Sequence, residues 1–303
     1  MVTIGWIGTG RMGSAMVARL LEGSFKLLVW NRSTDKLAPL IEQGAVAAPN
    51  PAAIAAGADV IMSILSNDEA IDNCYRGPDG VLSAGEAALR GKLIIEMSTV
   101  PPSFARELAN DLSRLGARMI DCPVGGTVGP AREGKLLGLA GGALEDVDAA
   151  RPILDQLCRR LEWMGPQGSG ASMKLCVNMP LMVYWQSLGE ALSLVRHLPV
   201  SADKLIDIMM DTSGTPAAMK VRGPAIARLM SGEAPASAAF DMAMICKDLR
   251  IMAHEAKVLE RDMPVLSATL NAYQQAIHEA DLGTFDGTVL SAYWSDRKNS
   301  NRA

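Results

Sequence analysis

Lys174 and Asn178 stand one helical turn apart in a stretch, Ala171 to Gly189, that holds no other charged residue. An i, i+4 pair lies on one helix face. A lysine among apolar neighbours loses hydration, which lowers its pKa toward working pH and equips it as a general acid and base. Most lysines are exposed surface residues. This one flanks an apolar stripe instead of standing opposite it, so the pair is expected to face a cleft between domains.

A second group follows a strand end at Asp121-Cys122-Pro123-Val124-Gly125-Gly126-Thr127. In an open α/β sheet, ligands sit beyond the carboxyl ends of the strands. A Gly-Gly-Thr loop there exposes backbone amides suited to a carboxylate or another small anion. A tight loop without a ligand fits the same residues equally well.

The third group is Gly8-Thr9-Gly10-Arg11-Met12-Gly13, a GxGxxG directly after the apolar run Thr3 to Ile7 and at the head of a helix. That strand-turn-helix context is what a dinucleotide requires. Gly8 permits the tight turn, Gly10 lets the backbone approach a pyrophosphate, and Gly13 lets the helix pack on the strand. The amides that open the helix, from Arg11 to Gly13, then point at the phosphates. The next strand, Lys26 to Trp30, ends at Asn31-Arg32-Ser33-Thr34. An acidic residue here would hold a ribose 2′-hydroxyl, whereas an arginine accommodates a 2′-phosphate. Asn31 carries no charge to repel phosphate, Arg32 offers a charged fork, and Ser33 and Thr34 add hydroxyls. NADPH/NADP+ is expected over NADH/NAD+.

These residues need elements to hold them. The first half of the chain alternates strands and helices, with strands near residues 59–65, 93–97, 118–121, 136–140 and 160–164. Such alternation means a parallel, doubly wound sheet of the Rossmann type. Composition breaks at Gly165-Pro166-Gln167-Gly168-Ser169-Gly170, a domain boundary. Met173, Val177, Leu181, Tyr184, Leu188, Ala191 and Val195 recur at helical spacing, so one long helix is expected to link the domains. The remainder reads as all-helical. The expected domains are 1–164, a Rossmann cofactor domain, and 165–303, a helical substrate and dimerisation domain.

Composition excludes other classes. At 303 residues, with nearly half of them hydrophobic, the chain can build two domains. A net charge of −4 argues against nucleic acid as a partner. Five scattered cysteines, an odd number without CxxC spacing, read as buried apolar residues in a reducing compartment. Three distant histidines assemble no metal site. The first strand begins at the second residue, leaving no room for a signal peptide, and no stretch is long enough to span a membrane. A cytoplasmic protein is expected.

Taken together the motifs resemble the β-hydroxyacid dehydrogenase family, over essentially the whole chain from Gly8 to beyond Lys247-Asp248-Leu249. Gly8, Gly10 and Gly13 match its cofactor motif. Asp121 to Thr127 is similar to its substrate motif, and Gly168, Gly170, Lys174 and Asn178 match its catalytic motif. The resemblance implies that Lys247 closes over the nicotinamide end, that Ser98-Thr99 sits beside the nicotinamide, and that Leu65 and Ser66 contact the cofactor. It further implies Lys174 as general acid/base and Asn178 as the residue that orients substrate. Val124, Gly125, Gly126 and Thr127 would grip the acid group of a small carbonyl or hydroxy acid.

Three departures stand out. Gly125 replaces the usual serine, Thr127 the usual second glycine, and Val177 the first asparagine of a pair. Thr127 is expected to supply the missing hydroxyl. Sulfonate-handling members carry an arginine where Gly126 stands, which argues against a sulfonate. Pro180 is expected to kink the linking helix, and Trp185 could equally line a pocket or fill the core. The stripe on that helix implies a homodimer or homotetramer. An imine reductase shares this architecture but usually has aspartate or tyrosine at position 174. A cofactor-binding scaffold without turnover is the remaining alternative.

Overall fold

The computed structural model describes residues 1–236, 238 and 240–297. Two compact units, Met1–Cys176 and Val177–Ala303, make up the chain.

The N-terminal unit alternates as expected: β1 (Thr3–Ile7), α1 (Arg11–Leu21), β2 (Lys26–Trp30), α2 (Ala38–Ile41), β3 (Val46–Ala47), α3 (Pro51–Gly57), β4 (Val60–Ser63), α4 (Asp68–Arg76), α5 (Gly85–Leu89), β5 (Leu93–Glu96) and α6 (Pro102–Arg114). It continues with β6 (Arg118–Asp121), β7 (Val124–Gly125), α7 (Val128–Arg132), β8 (Leu136–Gly141), α8 (Leu144–Leu157), β9 (Cys158–Gly165) and the start of α9 (Ser169–Ser193). The strand order is β3-β2-β1-β4-β5-β6-β8-β7, with β9 beside β8. Pairing is parallel from β3 to β6. It then reverses, because β8 runs antiparallel to β6 and β7, while β9 is parallel to β8. The sheet is therefore mixed at one edge. The reversal follows from the connection between β7 and β8, Gly126 to Lys135, which is shorter than the dozen or so residues a parallel crossover needs.

Successive strand residues feed two cores. Ile4, Trp6, Met62, Ile95 and Ile120 pack on one face; Ile7, Ile61, Ile94 and Met119 pack on the other. Burial on both faces explains why these strands read as unbroken apolar runs. Each such side chain contributes about 2 kcal/mol by leaving water.

The C-terminal unit carries the rest of α9, then α10 (Ala202–Met210), α11 (Met219–Met230), α12 (Met242–Val258), α13 (Pro264–Ala280) and α14 (Val289–Asp296). Turns separate them where the glycine and proline clusters stand. On α9 the expected stripe is largely misplaced: Leu188 is buried as expected, but Met173, Val177 and Leu181 are exposed, and Leu175, Met182, Trp185 and Leu192 are buried instead. Both sets have helical spacing, and an almost uniformly apolar helix offers its sequence no contrast to choose between them. One cysteine also departs from expectation, since Cys176 is exposed while the other four are buried. Among the described residues, no helix is long and apolar enough to cross a membrane.

Candidate functional site

The glycine loop between β1 and α1 is held from three sides. The Trp6 indole N–H donates to the Gly8 carbonyl at 2.8 Å, and the Gly8 amide donates to the Trp30 carbonyl at 2.9 Å. Gly8 has φ +97°, and a β-carbon on it would fall 2.4 Å from the Ile64 carbonyl oxygen. Gly13 passes so close to Gly8 that a β-carbon there would meet the Gly8 oxygen at 2.0 Å. Nothing lies within 4 Å of the corresponding point on Gly10. Gly10 is the N-cap of α1, and no side chain caps that helix. Uncapped first-turn amides beneath an open glycine form a cradle that fits a pyrophosphate.

Asn31 joins this loop to the end of β2. Its Oδ1 accepts the Thr9 N–H at 3.0 Å, and its Nδ2 donates to the Ser33 carbonyl at 2.9 Å. The Asn31 side chain thereby ties the phosphate loop to the segment that carries Arg32, Ser33 and Thr34. Arg32 and Thr34 are exposed there, with Ser33 half-buried. On the neighbouring strand ends, the Leu65 amide donates to Ser98 Oγ at 2.8 Å, which joins the loop of Leu65 and Ser66 to that of Ser98 and Thr99.

Further along the sheet, Asp121 ends β6 and is 1% exposed. Its Oδ1 accepts the Gly168 N–H at 2.7 Å and the Gln167 Nε2–H at 3.0 Å, and its Oδ2 accepts the Ala171 N–H at 2.8 Å. A carboxylate thus caps the first turn of α9, where the helix dipole favours negative charge. Burial pushes the Asp121 carboxyl up from the ordinary range, and the amides of Gly168 and Ala171 oppose that rise. The approach is close: a β-carbon on Gly170 would fall 2.2 Å from the Leu139 carbonyl oxygen. One turn into the helix, Lys174 Nζ donates to the Val124 carbonyl at 2.8 Å. The structure therefore places Lys174 against the loop Val124, Gly125, Gly126 and Thr127. Thr127 is exposed and is the N-cap of α7, but its side chain makes no capping hydrogen bond.

In the C-terminal unit, Asn178 Nδ2 donates to Asp248 Oδ2 at 3.1 Å, and Lys247 Nζ lies 3.0 Å from Asp248 Oδ1. The buried Asp248 thus stands between two of the residues singled out from sequence. Next to Asn178 is a cavity of about 100 Å3, lined among others by Val177, Trp185, Arg222, Phe240 and Asp286. Trp185 is both buried and a wall of this cavity.

Residues 3–165 match the family model described as the NAD binding domain of 6-phosphogluconate dehydrogenase, and residues 168–292 match NAD-binding of NADP-dependent 3-hydroxyisobutyrate dehydrogenase. The first match alone covers over half of the chain. The chain belongs to the β-hydroxyacid dehydrogenase family. Among relatives in this family, 3-hydroxyisobutyrate dehydrogenase of Pseudomonas aeruginosa is 31% identical over 278 residues, 90% of this chain and 91% of that protein. Glyoxylate/succinic semialdehyde reductase 1 of Arabidopsis thaliana is 32% identical, covering 95% of this chain and 96% of its own. Among solved structures, 3-hydroxyisobutyrate dehydrogenase of Mycobacterium tuberculosis has a TM-score of 0.81 at 24% identity, over 97% of this chain and 99% of that one. An imine reductase of Bacillus cereus has a TM-score of 0.60 at 21% identity, over 97% and 99%. As a β-hydroxyacid dehydrogenase, the protein is an oxidoreductase of CH–OH groups that binds a nicotinamide dinucleotide.

Three members of the site were not singled out for their roles from sequence: Asp121 as the cap of α9, Asp248 as the partner of Asn178, and Trp6 as the brace of the glycine loop. For Asp121 a signal exists. It is an acid that closes a strand whose preceding residues, Met119 and Ile120, are apolar and buried, where an exposed role is unavailable. Asp248 and Trp6 carry no comparable local signal, because their partners are distant in sequence or in the backbone.

Proposed function

We propose that this β-hydroxyacid dehydrogenase prefers NADPH and reduces a small aldehyde or keto acid to its hydroxy acid. Lys174 acts as general acid, delivering a proton to the carbonyl oxygen, and as general base in the reverse direction. Asn178 orients the substrate: with its amide nitrogen on Asp248, its carbonyl oxygen is the group turned to accept a hydrogen bond. The backbone of Val124, Gly125, Gly126 and Thr127 holds the acid group. The cofactor lies over Gly8, Gly10 and the opening residues of α1, with Arg32, Ser33 and Thr34 at the 2′-phosphate and Leu65, Ser66, Thr99 and Lys247 as further contacts. When bound, it supplies or accepts the hydride.

The observation that carries this reading is the 2.8 Å hydrogen bond from Lys174 Nζ to the Val124 carbonyl. It puts the proposed proton donor on the loop that would grip the acid. The breaks of the family models at 165 and 168 support a functional boundary there. Five unpaired cysteines support a cytoplasmic location. Exposed Leu194, Ile208 and Val221 support a homodimer or homotetramer.

The test follows NADPH absorbance with glyoxylate, succinic semialdehyde, tartronate semialdehyde, methylmalonate semialdehyde and cyclic imines, repeated with NADH. Turnover of one acid, faster with NADPH, is the expected result. Turnover of imines alone would move the assignment to an imine reductase. Tight NADPH binding without any turnover would leave a scaffold.

A further inference from the structure

Glu96 is the last residue of β5 and only 1% exposed. Its Oε1 accepts the Ser98 N–H at 2.7 Å, and its Oε2 accepts the hydroxyl of Ser63 at the end of β4. The Ser63 oxygen is also 2.6 Å from the Tyr75 hydroxyl on α4. The partners are hydroxyls and an amide, with no ion pair to Glu96 among the described residues. An anion buried in this way costs stability, and an apolar residue such as Ile7, which closes β1 on the far side of β4, would be the more stable choice.

What the carboxylate does is grip Ser98. The Ser98 Oγ in turn receives the Leu65 N–H at 2.8 Å. A hydrogen-bonded relay therefore runs from the buried Glu96 through Ser98 to the exit of β4, where a β-carbon on Gly8 would meet the Ile64 carbonyl and the Leu65 side chain. Both strand-end loops share this anchor.

We propose that Glu96 is a positioning residue for the cofactor site. By holding Ser98, it sets the Leu65 amide, and so fixes together the loops of Leu65 and Ser66 and of Ser98 and Thr99. The proposal rests on the reading above that these loops contact the dinucleotide. Ser63 and Tyr75 hold the carboxylate from behind and leave its Oε1 for the Ser98 amide.

The test measures NADPH affinity by cofactor fluorescence and exchange of the Leu65 amide by hydrogen-deuterium exchange in the cofactor-free protein. Glu96→Ala and Ser98→Ala are each expected to weaken NADPH binding about tenfold, the effect of one well-made hydrogen bond to a positioned group. Both should also speed Leu65 exchange. Glu96→Gln keeps an oxygen acceptor for Ser98 and turns an amide N–H toward Ser63, whose hydroxyl can then donate to Tyr75, and it should restore affinity to within about twofold. The double variant Glu96→Ala/Ser98→Ala should bind no worse than either single one, because both break the same relay. Should Glu96→Ala fail to fold, Ser98→Ala carries the test alone, since it breaks the relay and leaves the buried carboxylate in place. Wild-type affinity and Leu65 protection in folded Ser98→Ala would overturn the proposal, as would fully additive losses in the double variant. If the unsubstituted protein bound neither NADPH nor NADH, the cofactor reading itself would fall, and this proposal with it.

Discussion

The Asp121 carboxylate accepts the Ala171 amide at 2.8 Å, and this contact locks the end of a central strand to the first turn of α9. Three residues further along each segment, Val124 and Lys174 meet at the same distance. The first contact is the clamp and the second is its product: the position of the lysine is set by the cap beneath it.

Removing the cap should therefore damage both stability and activity. Asp121→Ala leaves the amides of Gly168 and Ala171 buried without an acceptor, which costs about 3 kcal/mol. Turnover at saturating substrate should fall at least about tenfold as the lysine loses its fixed position. Chemical denaturation together with steady-state kinetics checks this. A stable variant with normal turnover would show that α9 does not need the carboxylate.

Gly125 offers a test of pocket size. A β-carbon at this position would meet Leu137 at 3.5 Å, ordinary van der Waals contact. Gly125→Ser should accordingly fold with a stability change under about 1 kcal/mol. It should lower KM for the smallest carbonyl acids and reduce turnover of larger ones. An equal effect on all substrates would separate Gly125 from the acid-binding loop.

Arg32 should govern cofactor choice. It is exposed beside the Asn31 bridge, so Arg32→Ala removes a charged partner for phosphate without disturbing the loop. KM for NADPH is expected to rise about tenfold, and KM for NADH to stay within about twofold. Parallel titrations with both cofactors decide the matter.

Glu96 makes stability depend on pH. Burial raises its carboxyl above the usual 4.5, against the hydrogen bonds from Ser63, Ser98 and Tyr75 that pull it down. The folded state then binds more protons than the unfolded state over that window, so stability is lost as pH rises through the folded pKa. Glu96→Gln lacks this term. Its melting temperature relative to wild type should climb as pH rises from 4.5 toward neutrality. A difference that did not change with pH would mean that Glu96 titrates normally.

Much of this was legible in the sequence where local pattern and local structure coincide. β6 falls at residues 118–121 as read, because a short run of strand-forming residues between turns reports its own ends. The antiparallel edge at β7 and β8 was not legible, since strand direction is set by the short connection between strands and not by the strands it joins. The buried face of α9 was misread because its apolar residues surround the helix. The roles of Asp121 and Glu96 escaped for a shared reason. Both act through backbone amides, Asp121 through those of Gly168 and Ala171 in a distant segment and Glu96 through that of Ser98, and no residue type marks an amide as a partner.

The central claim is that Lys174 moves the proton. Its most direct test compares Lys174→Ala with the unsubstituted enzyme on the best carbonyl acid, with NADPH affinity measured in parallel by fluorescence. Turnover at saturating substrate is expected to fall by roughly two to four orders of magnitude, as for loss of a general acid, while NADPH affinity stays unchanged. Turnover within about twofold of wild type would contradict the claim and move the proton transfer to another group.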